Sequence, residues 1–170
     1  GSEMCIRDSD RPGQAVFAED RSDYGDCVTD LESSVRFLES PVITIPEGSD
    51  VTRVAVDHWM SSEVGWDGGN IKISINGRPW RLLPEFAFNF NPYNSVLQPI
   101  NPSDNPMGGE PAFTGGNGGE VSGSWGQSQL NLGGLVSPGD QIQIRFEFGQ
   151  DGCNGVVGWY VDDVQIYSCS

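Results

Sequence analysis

The stretch Gly158-Trp159-Tyr160-Val161-Asp162-Asp163-Val164-Gln165-Ile166-Tyr167, close to the C-terminus, decides the fold. Its aromatic and β-branched residues favour a β-strand, and a glycine marks its start. Because strand side chains alternate between two faces, Asp162 shares one face with Val164 and Ile166. If that face lies against the core, Asp162 is a buried carboxylate that needs hydrogen-bond donors, an opposite charge or a metal ion. The sequence therefore predicts an inward-facing acid on the terminal strand.

Alternating apolar residues and turn signals predict further strands along the chain. Ile71, Ile73 and Ile75 alternate with polar residues, and Asn76-Gly77 then predicts a tight hairpin. About eight short strands without a convincing helix predict an all-β fold, a two-sheet antiparallel β-sandwich.

Two stretches of the sequence lack the regular pattern of strands and turns. Residues 1–12 carry no periodic pattern and are predicted to be a cloning remnant or a disordered tail, so we assign the single β-sandwich domain to residues 13–170. Residues 84–120 contain many prolines, asparagines and glycines, which predict a long irregular connection. Such a connection inside one domain is usually functional or partly disordered.

The acidic charge balance indicates which classes of binding partner the chain favours. The 170-residue chain has 24 acidic residues against 9 Lys plus Arg, a formal net charge of −15. This balance disfavours nucleic acid and anionic membranes, which attract basic patches, and it favours divalent cations, a saline environment or simply solubility. No apolar run approaches ~18 residues, so no membrane insertion is predicted. We expect a monomer.

The 4 cysteines, with a single histidine, favour disulfides in a secreted, extracellular protein over a structural zinc site. Cys153 and Cys169 lie at opposite ends of the last predicted strand, at roughly 3.3 Å per residue, which disfavours pairing them. We favour a Cys27–Cys153 disulfide, with Cys27–Cys169 as the alternative.

A glycine-rich stretch, Glu63-Val64-Gly65-Trp66-Asp67-Gly68-Gly69-Asn70, is the strongest candidate for a metal site. Its glycines let backbone carbonyls and two carboxylates converge, and calcium takes six to eight such oxygens. Carboxylates from the neighbouring strand and from the terminal strand can reach the same place. The candidate ligands are Asp57, Glu63, Asp67, Asp162 and Asp163. The alternative is an ordinary turn in which the aspartate caps local amides.

Enzymatic interpretations have less support. Ser-His-Asp catalysis would need His58, the only histidine, and no GxSxG elbow accompanies it. A carboxylate pair acting on polysaccharide remains an alternative, since Glu63, Asp67, Glu85 and Glu147 are available. Nothing in the sequence selects two of these four.

Aromatic residues in or beside loops are candidates for ligand binding. Aromatic faces next to asparagine and glutamine suit sugar rings. The candidates are Trp66, Trp80 and Tyr93. The alternative is that such residues anchor loops or fill the core.

Several blocks together resemble a known family. They are Ser40–Pro46, Asp57-His58-Trp59, Glu63 with Trp66-Asp67-Gly68-Gly69, the strand 71–75 and Gly158–Val164. In combination they resemble the jelly-roll accessory domains of secreted bacterial metallopeptidases, of the immune-inhibitor-A-like and fungalysin-like kinds. They are also similar to MAM domains and to the cleaved-adhesin modules of gingipains.

The resemblance implies a calcium-supported jelly roll that targets or stabilises a larger secreted protein. By position it implies Glu63, Asp67 and Asp162 as calcium ligands, with Asp57 and Asp163 as weaker candidates. The chain has no peptidase catalytic domain, so protease activity does not carry over. The expected function is a non-catalytic accessory module that recognises an extracellular glycan or protein polymer. A stand-alone polysaccharide-acting enzyme and a purely structural spacer are the alternatives.

Overall fold

The computed structural model describes residues 14–20, 33–49, 51–116 and 125–168, together with the backbone of residues 5–8 and 169. A 3₁₀ helix covers Glu85–Ala87. The strands, in chain order, are β1 (Cys5–Asp8), β2 (Gln14–Glu19), β3 (Ser34–Glu39), β4 (Ile43–Thr44), β5 (Val51–Ser61), β6 (Gly68–Ile75), β7 (Arg81–Leu82), β8 (Phe88–Phe90), β9 (Ser95–Val96), β10 (Pro111–Ala112), β11 (Gly126–Asn131), β12 (Gln141–Gln150) and β13 (Gly158–Cys169).

These strands form two main antiparallel sheets. The larger sheet has the order β1-β2-β13-β5-β11-β8, and the smaller has the order β3-β12-β6-β7 with β4 also paired to β12. A two-stranded sheet joins β9 and β10. The prediction of an all-β, two-sheet antiparallel β-sandwich is therefore confirmed.

The core lies between the two sheets and is filled from both. Alternate residues of β5 and of β12 are buried, as expected for strands with one face inward. Trp159 of β13 is the largest fully buried side chain, and it packs against Phe146 and Phe113. Gly69 lies directly under the Trp159 ring, at a place where a Cβ atom would overlap the indole. The glycine of β6 therefore makes room for the central tryptophan.

Strand β13 contains a β-bulge in its middle. Asp162 pairs with Asp57 and Gln165 pairs with Ala55, so two residues of β13 lie opposite a single residue of β5. Asp163, the first of the two, has φ 46°, in the left-handed region. An extra residue of this kind reverses the alternation of side chains beyond it.

Because of the bulge, the prediction that Asp162 faces the core with Val164 and Ile166 is wrong. Before the bulge, the core side of β13 carries Trp159 and Val161, both buried. After the bulge, Ile166 packs against the core, whereas Val164 is exposed. Asp162 therefore lies on the outer face of the six-stranded sheet.

The connection between β7 and β11 is better ordered than its composition predicted, through residue 116. It contains the 3₁₀ helix and strands β8, β9 and β10. Leu97, Met107 and Ala112 form a small second core. The backbones of Gly69 and Phe113 exchange hydrogen bonds of 2.9 and 2.8 Å, which dock the connection on β6.

The N-terminal boundary of the domain stays a prediction. Residues 1–12 were expected to lie outside the sandwich, yet Cys5–Asp8 pairs with β2 as β1 at the edge of the larger sheet.

Within the described part of the chain, no helix is long and apolar enough to cross a membrane.

Candidate metal centre

Carboxyl groups from three separate segments meet at one end of the sandwich. Glu63 and Asp67 lie in the connection between β5 and β6, and Asp151 begins the loop between β12 and β13. Oxygen atoms of these three residues all lie within 4.8 Å of one another. Asp20, which follows β2, joins them because its carboxyl group is within hydrogen-bonding reach of Asp67. We call Asp20, Glu63, Asp67 and Asp151 the acidic cluster.

The turn that carries Glu63 and Asp67 is held tightly. The amide of Asp67 donates to the Glu63 carbonyl at 3.0 Å, and Gly65 has φ 79°, which glycine adopts without strain. The Asp67 carbonyl accepts from the hydroxyls of Ser62 at 2.9 Å and Thr114 at 2.6 Å. The glycine-rich stretch therefore brings two carboxyl groups close together, as its sequence predicted.

Backbone amides of the loop between β12 and β13 donate to aspartate side chains, and two of these bonds tie the loop to Asp67 and Asp20 of the cluster. Each of four amides donates to one oxygen of an aspartate: residue 151 to Asp67 at 2.6 Å, residue 152 to Asp104 at 3.1 Å, residue 153 to Asp151 at 3.0 Å and residue 156 to Asp20 at 3.0 Å. These bonds satisfy the loop backbone without a regular ladder. They also fix which oxygen of each carboxyl group remains for another partner.

The remaining oxygens are buried and lack a donor. Asp20 Oδ1, Asp67 Oδ2 and Glu63 Oε2 accept no hydrogen bond from the described residues while the carboxyl groups are ionised. A hydrogen bond between Asp20 and Asp67 requires a proton on one of the two groups. Asp67 is 0% exposed and Asp20 is 2% exposed, so water does not solvate them freely. A buried carboxylate oxygen without a donor is strongly unfavourable.

The pKa shifts of the cluster residues also indicate negative charge without a balancing positive charge. Burial raises the pKa of Asp67 and the pKa of Asp20, and the negative charge of neighbouring cluster members adds to the shift. Burial also raises the pKa of Glu63, and the charges of Asp151 and Asp20 raise it further. These carboxyl groups need either shared protons or a cation, because no Lys or Arg among the described residues pairs with them.

The donor set suits a hard cation. All four side chains offer carboxylate oxygens, which calcium prefers, and the cluster lacks the His and Cys ligands typical of zinc. The residues present therefore fit calcium, whose remaining ligands can be carbonyls and water.

The structure brings together only part of the predicted ligand set. Glu63 and Asp67 lie in the cluster, but Asp57, Asp162 and Asp163 do not. Asp57 accepts a hydrogen bond of 2.9 Å from Gln127 on the outer face of the larger sheet, with Asp162 directly opposite. Asp163 is exposed at the bulge.

Two members of the cluster were not predicted, Asp20 and Asp151. Asp20 directly follows β2, which is next to the edge strand of the larger sheet. Asp151-Gly152 is a turn pair of the kind that often caps local amides. The Asp-Gly pair was the available signal. Nothing local indicates that it meets Asp67, from which it is 84 residues distant in sequence.

The predicted ligand-binding aromatics have different surroundings. Tyr93 is buried, where its hydroxyl accepts from the amide of Ile71 at 3.2 Å and donates to the Ile71 carbonyl at 3.1 Å. Trp80 covers the guanidinium of Arg145, which lies 4.1 Å from its ring centroid. Trp66 is half-buried beside the cluster. Tyr93 is therefore a structural residue, and the binding roles of Trp66 and Trp80 stay predictions.

His58 belongs to the core. It is 0% exposed, and its Nδ1 accepts from the Trp159 indole at 3.2 Å. Its Nε2 therefore carries the proton and donates to the Ser128 hydroxyl at 2.8 Å, which in turn donates to the Asn91 carbonyl. Burial lowers the pKa of His58 to about 4. The histidine is a neutral hydrogen-bonded core residue.

The predicted disulfide is not tested by the described residues, because Cys27 lies outside them. The pairing of Cys27 with Cys153 stays a prediction.

No protein-family model matches the sequence, and neither does any of the curated proteins.

Proposed function

We propose that this chain is a non-catalytic, calcium-binding module of a secreted protein, and that it recognises an extracellular glycan or protein polymer. The observation that carries the calcium site is the pair of buried carboxyl groups, Asp20 and Asp67, whose remaining oxygens have no donor among the described residues. A divalent cation supplies the missing positive charge to both groups at once.

The ion would join three segments that are distant in the chain. Asp20 follows β2, Glu63 and Asp67 lie between β5 and β6, and Asp151 starts the loop that leads into β13. An ion bound only by the folded protein stabilises it by mass action, about 2.7 kcal/mol at a free concentration of ~100 times Kd. Calcium therefore stabilises the end of the sandwich where these loops meet.

A non-catalytic role is supported by the burial of the carboxyl groups. The 0% exposed Asp67 is unavailable to a sugar chain, and its Oδ1 already accepts a loop amide. Glu147 forms ion pairs with Lys72 and Arg145. Hydrolysis by a carboxylate pair, the alternative, would need two accessible acids at one cleft.

Thermal unfolding with excess calcium and with EDTA tests the proposal, together with titration calorimetry of the chelated protein. We expect a higher melting temperature in calcium and a smaller increase in magnesium, which needs a stricter octahedral geometry. Identical melting curves in calcium and in EDTA, with no heat of binding, contradict the calcium site.

A further inference from the structure

A row of aromatic side chains crosses the outer face of the larger sheet. Phe17 of β2, Tyr160 of β13 and Trp59 of β5 are directly opposite one another in the strand register. The Tyr160 ring stacks on Phe17 at 4.3 Å between centroids and meets Trp59 edge-on at 5.6 Å. Trp125, just before β11, lies 6.2 Å from Tyr160. The row ends in a buried Phe17, and the rings of Trp59, Tyr160 and Trp125 are half-buried.

Polar side chains that make hydrogen bonds flank this aromatic row. The next register row, on the same face, contains Asp162, Asp57 and Gln127. Gln127 Nε2 donates to Asp57 Oδ1 at 2.9 Å, and Gln129 Nε2 donates to Gln127 Oε1 at 2.6 Å. Gln127 and Gln129 are both exposed. Aromatic rings and a chain of amide and carboxylate groups therefore lie side by side over strands β13, β5 and β11.

The core does not require these aromatic residues at this position. The inner faces of β5 and β13 already bury Val54, Val56 and Trp159 between the sheets. Cross-strand aromatic pairs on an outer face add about 0.2–1 kcal/mol each, yet they leave apolar ring surface half in contact with water. Such an arrangement suits a ligand that has an apolar face and hydroxyl groups at its edge.

We propose that this outer face binds a neutral polysaccharide, with sugar rings against Trp59 and Tyr160 and their hydroxyls hydrogen-bonded to Asp57 and Gln127. A carboxylate accepts two hydroxyl protons, and an amide both donates and accepts, which matches the donor and acceptor pattern of a sugar. The inference deepens the proposed function by naming the ligand class and its site, so it rests on that function.

The charge of this face selects a neutral polymer over an acidic one. Asp57 and Asp162 are directly opposite each other, and Arg53 is the one basic residue on the described parts of β5, β11 and β13 other than the buried His58. Polyanions such as uronic-acid polymers, and nucleic acids, are therefore repelled.

A groove at the edge of the sandwich suits a sugar less well. It is a groove of about 490 Å³ between the two sheets. Its lining is mainly aliphatic and includes Leu38, Pro41, Ile43, Val164 and Ile166. Among its lining side chains, only Glu39 and Ser40 could replace the hydrogen bonds that sugar hydroxyls make to water.

Affinity electrophoresis in gels with soluble β-glucan, mannan, xylan or galactan tests the site, with polygalacturonate as the acidic comparison. We expect at least one neutral polymer to retard the native protein, and Trp59→Ala to weaken the retention roughly tenfold or more. Gln127→Ala, on an exposed side chain, should also weaken it and serves as the variant least able to disturb folding. Phe37→Ala, at an exposed aromatic residue on β3 of the smaller sheet, is the matched control and should bind as the native protein does.

Three results overturn the inference: no retardation by any of the four neutral polymers, retardation by polygalacturonate alone, or retention unchanged by both Trp59→Ala and Gln127→Ala. Melting temperatures in calcium and in EDTA are measured on the same samples. Calcium stabilisation without retardation removes the glycan site and leaves the calcium site. Retardation without calcium stabilisation removes the calcium site and leaves the glycan site.

Discussion

The carboxyl groups of Asp20 and Asp67 approach each other inside the protein, each with one oxygen bound to an amide of the loop between β12 and β13. The second oxygen of each group has no donor among the described residues. Two acceptors in this arrangement repel unless a proton or a cation lies between them. The stability of the ion-free protein is therefore limited by the same groups that would bind calcium.

Replacement of Asp67 by Asn tests this relationship with an isosteric side chain. The Asn oxygen can still accept the amide of residue 151, while its NH₂ group can donate to the free oxygen of Asp20. We expect Asp67→Asn to stabilise the ion-free protein by about 1–3 kcal/mol and to remove most of the stabilisation by calcium. Thermal or urea unfolding in EDTA and in calcium measures both effects.

Asp162→Asn is the matched control, since it makes the same chemical change on the outer face of the larger sheet. It should keep the full calcium increment, although the sequence predicted Asp162 as a ligand. Loss of the increment in Asp162→Asn, or its retention in Asp67→Asn, would contradict the assignment of the acidic cluster.

The difference between the predicted ligand set and the acidic cluster that the structure shows has a physical cause. The turn at Glu63 and Asp67 was predictable because its glycines and acids are adjacent in sequence. Asp151 reaches Asp67 across 84 residues, and only the pairing of strands brings them together. A single sequence contains no local signal for such a contact.

The orientation of Asp162 shows how one inserted residue defeats a periodicity argument. The β-strand itself was correctly predicted, because Trp159, Val161 and Ile166 are typical of strands. Alternation assumes two residues per repeat throughout, and the bulge at Asp163 breaks that repeat. The bulge lacks the glycine that would have marked its left-handed position.

Acidification should destabilise the fold through His58. Its pKa is about 4 in the folded protein, below the ordinary value of 6.5. Between these two pH values the unfolded chain binds a proton that the folded chain excludes, so stability falls as the pH falls from 6.5 to 4. The loss is on the order of 3 kcal/mol.

Urea unfolding over this pH range, in the native protein and in His58→Gln, isolates the contribution of the histidine. The carboxyl groups of the acidic cluster act in the opposite sense, because their raised pKa values favour the folded state at low pH. The two proteins share those groups, so the difference between their pH profiles belongs to His58. Parallel profiles would contradict the burial of a neutral imidazole.

Gly69→Ala should destabilise the core much more than an alanine at a glycine that has open space around it. A Cβ atom at Gly69 would overlap the Trp159 ring, which is itself fully buried and bonded to His58. We expect a loss of about 3 kcal/mol from this overpacking. Gly48→Ala is the control: Gly48 has φ 80° and open space around it, so only backbone strain of about 1–2 kcal/mol opposes the change. Equal losses in the two variants, measured by chemical unfolding, would mean that the packing under Trp159 is looser than described.

Tyr93→Phe separates a structural aromatic residue from a ligand-binding one. The Tyr93 hydroxyl bonds both backbone groups of Ile71, and its ring packs against Phe88 and Phe113. Its removal leaves buried polar groups of β6 without that partner, at a cost of about 1–3 kcal/mol. We therefore expect a lower melting temperature and unchanged retention by the neutral polysaccharide that binds the native protein. Tyr167→Phe, at an exposed tyrosine, should leave the melting temperature almost unchanged. Retention lost in Tyr93→Phe at an unaltered melting temperature would restore Tyr93 as a ligand-binding residue and place the sugar site away from Trp59.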